Sequence, residues 1–233
     1  MKVYIKKFLN QISKAIYTVI PKQFKNKTIY DLYVEEEKKK CFDHFKKYFK
    51  SSIFLPSREI REYAIKKSIE QDPNKNFTYL EFGVGGGLSI NYFADFVNKI
   101  YGFDSFKGLN EDWLGFTKAK GTFAKLYKDL SFKSNVIIVK GLVQETLEKF
   151  LLENNPKINF VHMDMDTYKT SKYILEKIKP YLNKNSIILF DQLYNFSGWD
   201  VGEYKALKEV FDDKDYIFKA FSSDNRRVVI EIS

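Results

Sequence analysis

A glycine-rich stretch between an apolar strand and a helix constrains this chain more than any other feature. Residues 77–82 are mostly apolar or β-branched, four glycines lie within residues 83–87, and apolar residues at helical spacing follow from Leu88. A strand, a glycine turn and a helix in this order begin a doubly wound α/β sheet. Glycines permit positive φ angles and let a ligand approach the backbone closely, so the turn is a candidate binding site.

The glycine spacing excludes two common phosphate-binding motifs. A dinucleotide motif counted from Gly83 needs glycine where Leu88 stands, and the stretch lacks the lysine of a P-loop. The remaining pattern is acidic-x-Gly-x-Gly-x-Gly and begins at Glu81. A second strand ends at Asp104, 17 residues after Gly87 (104 − 87), where a carboxylate can accept both hydroxyls of an adenosine ribose. Together these features predict S-adenosylmethionine as the ligand; the alternative is a purely structural turn.

Charge and cysteine content limit the class of protein. The chain has 39 Lys and Arg against 30 Asp and Glu, a formal net charge of +9. Because the lysines are scattered, we expect no nucleic-acid partner, whereas nucleotide-linked or phosphorylated substrates suit the surplus. Cys41 is the single cysteine, so we expect no internal disulfide and a reducing compartment, the cytoplasm. The apolar runs are short and interrupted by lysine, which predicts neither a signal peptide nor a spanning helix.

The N-terminal region predicts helices rather than a sheet. Residues 3–20 carry an apolar helical face that Pro21 ends, typical of an arm that packs on the body or on a second copy in a homodimer. The alternative is weak contact of residues 1–20 with a membrane surface, without stable insertion. A further helix is predicted over residues 57–69, with Ser57 as its N-cap. We therefore expect a helical N-terminal extension, 1–76, before a catalytic domain, 77–233.

Strand and helix patterns alternate along the second region, which predicts a doubly wound, mostly parallel, Rossmann-like sheet of about seven strands. A C-terminal antiparallel hairpin follows, with its turn at residues 222–225, and this combination is typical of methyltransferases. Residues 105–134 are predicted to form an ordered loop or lid. The expected strands are residues 78–82, 99–103, 136–139, 158–163, 186–190, 216–221 and 227–232, and the expected helices are 89–97, 143–152, 170–182 and 202–211.

Three aspartates follow the fourth and fifth predicted strands. Asp164 and Asp166 share one side of the chain by strand alternation, and neighbouring strand ends bring Asp191 close to Asp164. Clustered carboxylates repel each other unless a cation lies between them. Asp164, Asp191 and the Gln192 carbonyl oxygen therefore predict a Mg²⁺ site, and Asp166 is the candidate base that removes a proton from an acceptor hydroxyl.

The same residues have plainer interpretations. The aspartates could cap the helices that follow, as Thr167 and Thr170 also suggest. His162 shares the alternation but lies deeper in the strand, which favours a hydrogen-bonded core histidine over a base. Four aromatic residues are candidates either for the walls of the acceptor pocket or for ordinary packing: Tyr168, Tyr194, Phe196 and Trp199.

Five stretches resemble the macrocin-type O-methyltransferases, which use S-adenosylmethionine and usually Mg²⁺ to methylate sugar hydroxyls. The resemblance covers about residues 77–211 and is carried by residues 81–89, 102–109, 140–147, 162–168 and 190–199. The motifs Asp-Ser-Phe-x-Gly-Leu and Asp-x-Asp-x-Tyr are the specific ones. One departure is Gln192, which stands where macrolide-sugar members carry a second aspartate. We therefore expect either weaker metal affinity or water as the third ligand.

The resemblance implies a role for each matching residue. Gly83 and Gly85 would line the methionine portion of the cofactor, Ser89 would bind its carboxylate, and Asp104 would bind the ribose, with Ser105 beside it. Asp164 and Asp191 match the metal ligands and Asp166 the general base. The turn at residues 141–144 also resembles the adenine-binding turn of catechol-type O-methyltransferases. The cofactor-binding candidates are thus Glu81, Gly83, Gly85, Ser89, Asp104, Ser105, Gly141, Val143 and Gln144.

The resulting prediction is a cytoplasmic O-methyltransferase for a nucleotide-linked sugar or a glycan precursor, as in polysaccharide biosynthesis. One alternative is a metal-independent N-methyltransferase whose aspartates bind an amine cation. Another is a non-catalytic protein that binds S-adenosylmethionine or assembles at a membrane through its N-terminal arm. Dependence on Mg²⁺ would separate the first two, and turnover would separate both from the third.

Overall fold

The computed structural model describes residues 27–125 and 127–233. The chain divides into two compact units, Met1–Glu36 and Glu37–Ser233, and the second contains the whole sheet. The predicted amphipathic helix at residues 3–20, its end at Pro21 and its contacts with a second copy or a membrane lie outside the described residues. Within the described ranges, no helix combines the length and apolar character that a membrane span requires.

Helices and strands alternate through the described chain. The helices are α1 Ile29–Phe49, α2 Ser57–Ile69, α3 Leu88–Phe93, α4 Val143–Asn154, α5 Tyr168–Ile178 and α6 Glu203–Val210. The strands are β1 Ile53–Leu55, β2 Thr78–Phe82, β3 Ile100–Asp104, β4 Val136–Lys140, β5 Ile158–Met163, β6 Leu182–Phe190, β7 Tyr216–Ser222 and β8 Val228–Ile232. Single 3₁₀ turns occur at Tyr127–Asp129 and Lys179–Tyr181.

One sheet of eight strands, in the order β1-β7-β8-β6-β5-β2-β3-β4, forms the centre of the fold. Strand β8 pairs antiparallel with β6 and β7, and the other pairs are parallel. This confirms the predicted mostly parallel sheet with a C-terminal hairpin. The strand order changes direction between β2 and β5, and ligands bind at such a switch point, beyond the carboxyl ends of the strands.

The central strands are continuous apolar runs because both faces of the sheet are buried. Every residue of β5 is buried. Successive residues face opposite layers: Val161 packs in the layer that contains Leu147, Ile174 and Leu207 of α4, α5 and α6, whereas Phe160 packs in the layer formed with α2 and α3. Helices on both faces are the usual cover of a parallel sheet. The carboxyl ends of β2, β3 and β5 are therefore held rigidly.

Two expectations about the N-terminal region differ from the structure. Strand β1 was not predicted; it pairs with β7 through three residues, and so short a strand carries no periodicity. Helix α2 begins at Ser57 as expected, but the cap position is Pro56 and the Ser57 hydroxyl donates to Asp224 Oδ1 at 2.6 Å. The prediction of Ser57 as N-cap was wrong, because its hydroxyl binds the β7–β8 turn. The division at residues 76 and 77 stays a prediction.

Candidate active site

A cleft of about 400 Å³ opens at the carboxyl ends of the central strands. It is lined by the β2–α3 turn, the residues after β3, the β4–α4 turn, the ends of β5 and β6, and Arg61 of α2. Eleven of the predicted site residues line it: Gly83, Gly85, Ser89, Asp104, Ser105, Gly141, Val143, Asp164, Asp166, Asp191 and Gln192. The topology therefore brings most of the predicted residues into one cavity.

The glycines of the turn have two roles: Gly83 allows close packing, and Gly85 and Gly86 leave space for a ligand. Gly83 has a φ of +88°, and a Cβ there would lie 1.9 Å from the carbonyl oxygen of Asp164, so only glycine fits. At Gly85 and Gly86 a Cβ would meet no atom within 4 Å. Space beside bare backbone is what a ligand needs to approach closely. The geometry fits the predicted contact with a cofactor at Gly85.

Asp104 is fixed in the cleft by two backbone donors. The Gly85 N–H donates to Oδ2 at 2.7 Å and the Phe106 N–H donates to Oδ1 at 2.6 Å. Each carboxylate oxygen has further lone pairs, so the group can still accept the two hydroxyls of a ribose. The side chain is thus oriented before any ligand binds.

Two candidates for cofactor binding lie away from the cleft surface. Glu81 is fully buried and accepts the hydroxyl of Ser89 at 2.9 Å, so it reaches the cleft only through that serine. Gln144 is exposed and is not among the residues that line the cleft, and its backbone oxygen accepts the hydroxyl of Tyr173 at 3.3 Å. Direct cofactor contacts by these two residues stay predictions.

A buried charged network extends from the glycine turn to the end of β6. His162 Nδ1 lies 3.1 Å from Glu81 Oε2, and its Nε2 lies 3.5 Å from Asp191 Oδ1. Burial alone would lower the pKa of His162, but hydrogen bonding to Asp191 and Glu81 outweighs it and raises the pKa to about 9. His162 is therefore the hydrogen-bonded core histidine that its position within the strand favours.

Asp191 is surrounded by cationic groups. Arg227 donates from Nε to Oδ1 at 2.5 Å and from Nη2 to Oδ2 at 3.3 Å, and Arg61 Nη2 donates to Oδ1 at 3.2 Å. Burial opposes ionisation of Asp191, but His162 and the two arginines outweigh it and hold its pKa below the ordinary range. Both arginines were missed in the sequence, because charged residues on a helix and in a hairpin look like surface residues.

Gln192 joins the two predicted metal-binding carboxylates. Its Nε2 donates to Asp191 Oδ2 at 2.8 Å and to Asp164 Oδ1 at 3.3 Å. The predicted proximity of the two aspartates is confirmed, since Met163 and Phe190 pair across β5 and β6 and each precedes one of them. Gln192 Oε1 is buried and has no hydrogen-bond partner among the described residues.

Asp166 sits in a crowded acidic environment. It is 7% exposed and has a positive φ of 61°, a sparsely populated conformation that is common at functional sites. Burial first, and then the carboxylates of Asp164 and Glu203, raise its pKa to about 9. Burial followed by Asp191 raises the pKa of Asp164 to about 7, and burial followed by Asp164 raises that of Glu203 to about 8.

Glu203 was missed because an acidic residue in the first turn of a helix is ordinary. It accepts the backbone N–H groups of Met165 at 3.3 Å and Gln192 at 3.2 Å, and so ties the two strand ends together. At the start of α5, Thr167 occupies the cap position without a side-chain cap hydrogen bond. The capping interpretation of this segment therefore finds no support at Thr167.

The aromatic walls of the cleft differ from those expected. None of the four candidate aromatics lines it: Tyr194, Phe196 and Trp199 are buried in the core, and the Tyr168 hydroxyl donates to Glu209 at 2.5 Å. Their alternative role in packing is the one observed. The aromatic residues that do line the cleft are Phe103, Phe106, Trp113 and Phe123, three of them from the predicted loop or lid at residues 105–134.

Comparisons with known proteins agree with this fold. The family model of the methyltransferase domain matches residues 80–193. The calicheamicin methyltransferase CalS11 has a similar structure, with a TM-score of 0.62, 22% identity, and coverage of 90% of this chain and 95% of that one. The O-methyltransferase NovP gives a TM-score of 0.53 and 16% identity, and covers 76% and 78% of the two chains. A search of curated proteins finds none that matches.

The fold and the family match define the class of protein. The chain carries an S-adenosylmethionine-dependent methyltransferase domain of the Rossmann-like type, and the predicted class of enzyme is confirmed. The similarities to solved structures concern the fold, because each is below 25% identity.

Proposed function

We propose that this protein is an S-adenosylmethionine-dependent and Mg²⁺-dependent O-methyltransferase that acts on a sugar hydroxyl. The observation that carries the proposal is the meeting of two features in one cleft: a carboxylate, Asp104, fixed by backbone N–H groups, and an acidic cluster around Asp166. The apo structure of CalS11, a TDP-rhamnose 3'-O-methyltransferase, is similar to this chain, with a TM-score of 0.55 and 20% identity over 90% of this chain and 97% of that one. A nucleotide-linked sugar or a glycan precursor is accordingly the proposed acceptor.

The donor would lie along the glycine turn. Asp104 would accept the ribose hydroxyls, Ser105 would lie beside it, and the β4–α4 turn at Gly141 and Val143 would border the adenine. The methionine end would pass Gly83 and Gly85 toward Ser89. This placement leaves the acidic cluster beyond the sulfonium, where the acceptor hydroxyl must stand for an in-line displacement.

The side chains around Gln192 fit a hard divalent cation. Gln192 Nε2 lies 3.3 Å from Asp164 Oδ1 and 2.8 Å from Asp191 Oδ2, and its Oε1 has no hydrogen-bond partner within residues 27–125 and 127–233. A half-turn of this amide would direct Oε1 at the two carboxylates, an arrangement that a cation between them stabilises. Asp164, Asp191 and Gln192 would hold Mg²⁺, which would lower the pKa of an acceptor hydroxyl.

Asp166 would take the proton of the acceptor hydroxyl. With its pKa raised to about 9 by burial and by Asp164 and Glu203, its carboxyl group is protonated at neutral pH when no cation is near. Positive charge at Asp164 would favour the ionised form that a base requires. Burial of Asp166 would also exclude water that competes with the acceptor.

The remaining predictions concern the setting of the enzyme. We keep the cytoplasm as the compartment, because Cys41 is the single cysteine. A helical extension over residues 1–76, a homodimer formed through its arm, and a role in polysaccharide biosynthesis also remain proposals.

Activity on candidate acceptors tests the proposal. Purified protein would be incubated with S-adenosylmethionine, Mg²⁺ and a panel of nucleotide-linked sugars, and methylated products would be identified by mass spectrometry. We expect methyl transfer to a sugar hydroxyl that a chelator abolishes and added Mg²⁺ restores. Full activity on small amines in the presence of the chelator, with no activity on sugars, would contradict the proposal and favour a metal-independent N-methyltransferase.

A further inference from the structure

Arg61 is a cleft residue that the proposed reaction does not yet use. It projects from α2, outside residues 77–211 that carry the family resemblance, and its side chain is 27% exposed. Arg61 lines the same cavity as Gly83 and Ser89. A helix of the N-terminal region therefore contributes a permanent positive charge to the cleft, next to Asp191.

The contacts of Arg61 leave most of its donors free for a ligand. A guanidinium has five N–H donors, and the described residues provide an acceptor for one of them, the Nη2 bond to Asp191. The Nε is buried without a hydrogen-bond partner among those residues. A buried donor without a partner is costly, so an anion at this place would stabilise the group.

Arg61 is also the second arginine that donates a hydrogen bond to Asp191. Arg227 already binds both oxygens of Asp191 and is nearly buried, with a side chain 8% exposed. Among the described residues, Asp164 accepts a hydrogen bond from the Gln192 amide and none from Arg61. Arg227 thus satisfies Asp191, and the charge of Arg61 is available to the cleft.

The expected anchor of the donor's carboxylate is already engaged. The resemblance assigns that role to Ser89, but its hydroxyl donates to the buried Glu81 at 2.9 Å. A hydroxyl has one proton, so Ser89 cannot also donate its side-chain hydrogen to a ligand. Another donor is needed at this end of the cleft, and planar guanidinium groups match carboxylates in geometry and charge.

We propose that Arg61 binds the α-carboxylate of S-adenosylmethionine through the N–H groups that Asp191 leaves free. This inference rests on the proposed function. Asp191 then positions Arg61 by holding Nη2, and the donor's amino-acid end is recognised by an element outside the methyltransferase domain match of residues 80–193.

Decarboxylated S-adenosylmethionine, which keeps the adenosine, the sulfonium and the amine, is the direct probe. Calorimetry on the full chain would compare its affinity with that of S-adenosylmethionine. We expect the wild type to bind S-adenosylmethionine about 30-fold more tightly, as for a charge-assisted hydrogen bond, and Arg61→Met to reduce this ratio to below about threefold. Affinity of Arg61→Met for the decarboxylated probe should match that of the wild type.

Arg58→Met is the matched control, because Arg58 is an exposed arginine on the same helix and does not line the cleft. It should keep the 30-fold ratio, and Arg61→Lys should give an intermediate one. A ratio unchanged in Arg61→Met, or an equal loss for both ligands, would overturn the inference.

Other outcomes separate the two proposals. A wild type that binds both ligands equally refutes the role of Arg61 and leaves the methyltransferase proposal intact, whereas a wild type that binds neither refutes both. If Arg61→Met keeps donor affinity but weakens binding of a nucleotide-linked sugar, the residue binds a phosphate and the inference is wrong.

Discussion

The two halves of the cleft are built in opposite ways. In the half that we propose to bind the nucleoside, a single carboxylate, Asp104, accepts hydrogen bonds from two backbone N–H groups and is held in one orientation. In the acidic half, Asp164, Asp166 and Glu203 crowd together, and burial and mutual repulsion raise the pKa of each. The first half is held in place by hydrogen bonds, whereas the second favours the protonated form of its acids.

This difference indicates how binding energy would be used. If Asp104 binds the ribose as proposed, its fixed orientation would favour affinity, because little reorganisation would accompany binding. In the acidic half, a bound cation would instead favour the ionised carboxylates that burial disfavours, including the base that the proposed reaction requires. Donor affinity and chemistry should therefore respond to different substitutions.

The largest expected effect is on turnover. Asp166→Asn should lower kcat about a thousandfold, as loss of a general base does, and leave donor affinity unchanged. Asparagine tolerates the positive φ of 61° at this position, so the backbone should be retained. Product formation would be measured by mass spectrometry, with the exposed Asp200→Asn as control. A loss below tenfold would exclude Asp166 as the base.

The next effect should fall on the other half of the cleft. Asp104→Asn should weaken binding of S-adenosylhomocysteine about a hundredfold, because a charged acceptor of two ribose hydroxyls is lost. Calorimetry would measure the change, and the exposed Asp129→Asn should bind as the wild type does. Equal affinities in Asp104→Asn and the wild type would mean that the ribose lies elsewhere.

A smaller effect should follow at the proposed metal site. Gln192→Glu, which keeps the shape of the side chain and adds a negative charge, should raise Mg²⁺ affinity about tenfold. Titration calorimetry with Mg²⁺ alone would measure it, without cofactor or acceptor. Because the amide also bridges Asp164 and Asp191, the variant should be less stable than the wild type in a chelator. Unchanged or weaker Mg²⁺ binding would contradict the ligand set.

The pH dependence of stability gives the smallest effect. Because the pKa of Asp166 is raised to about 9 in the folded protein, the folded state binds a proton that the unfolded state has lost above about pH 4. Stability in a chelator should therefore fall as pH rises from 5.5 to 8.5. Asp166→Asn removes this contribution, and its slope should be shallower by roughly 1 kcal/mol per pH unit.

Urea unfolding at several pH values would measure this slope. His162, Asp164 and Glu203 also have raised pKa values, so their contributions act in the same direction and persist in the variant. Parallel slopes for the two proteins would show that Asp166 is already ionised without a cation. Saturating Mg²⁺ should flatten the wild-type slope if the two halves differ as described.

Much of the fold was predictable because its signals are local. The glycine turn, the alternating apolar segments and the polar hairpin turn each reflect a backbone preference within a few residues, and the structure confirms them. Strand β1 escaped prediction because its three residues are stabilised by β7, about 165 residues further along the chain. Asp104 and Asp164 were predictable for the same reason as the turn, because Asp104 ends the apolar strand β3 and Asp164 directly follows β5.

The sequence by itself therefore determined the class of fold, the edge of the sheet where the cleft lies and the acidic residues along that edge. The reason is that strand periodicity and strand ends depend on residues that are close together in the sequence. Only the tertiary structure decided the charge state and partners of those residues. Arg61, Arg227 and Glu203 reach the cleft from a helix, a hairpin and a helix start that are distant in sequence. The pKa of an acid and the partner of a hydrogen-bond donor depend on burial and on contacts between distant segments, so neighbouring residues in the sequence do not reveal them.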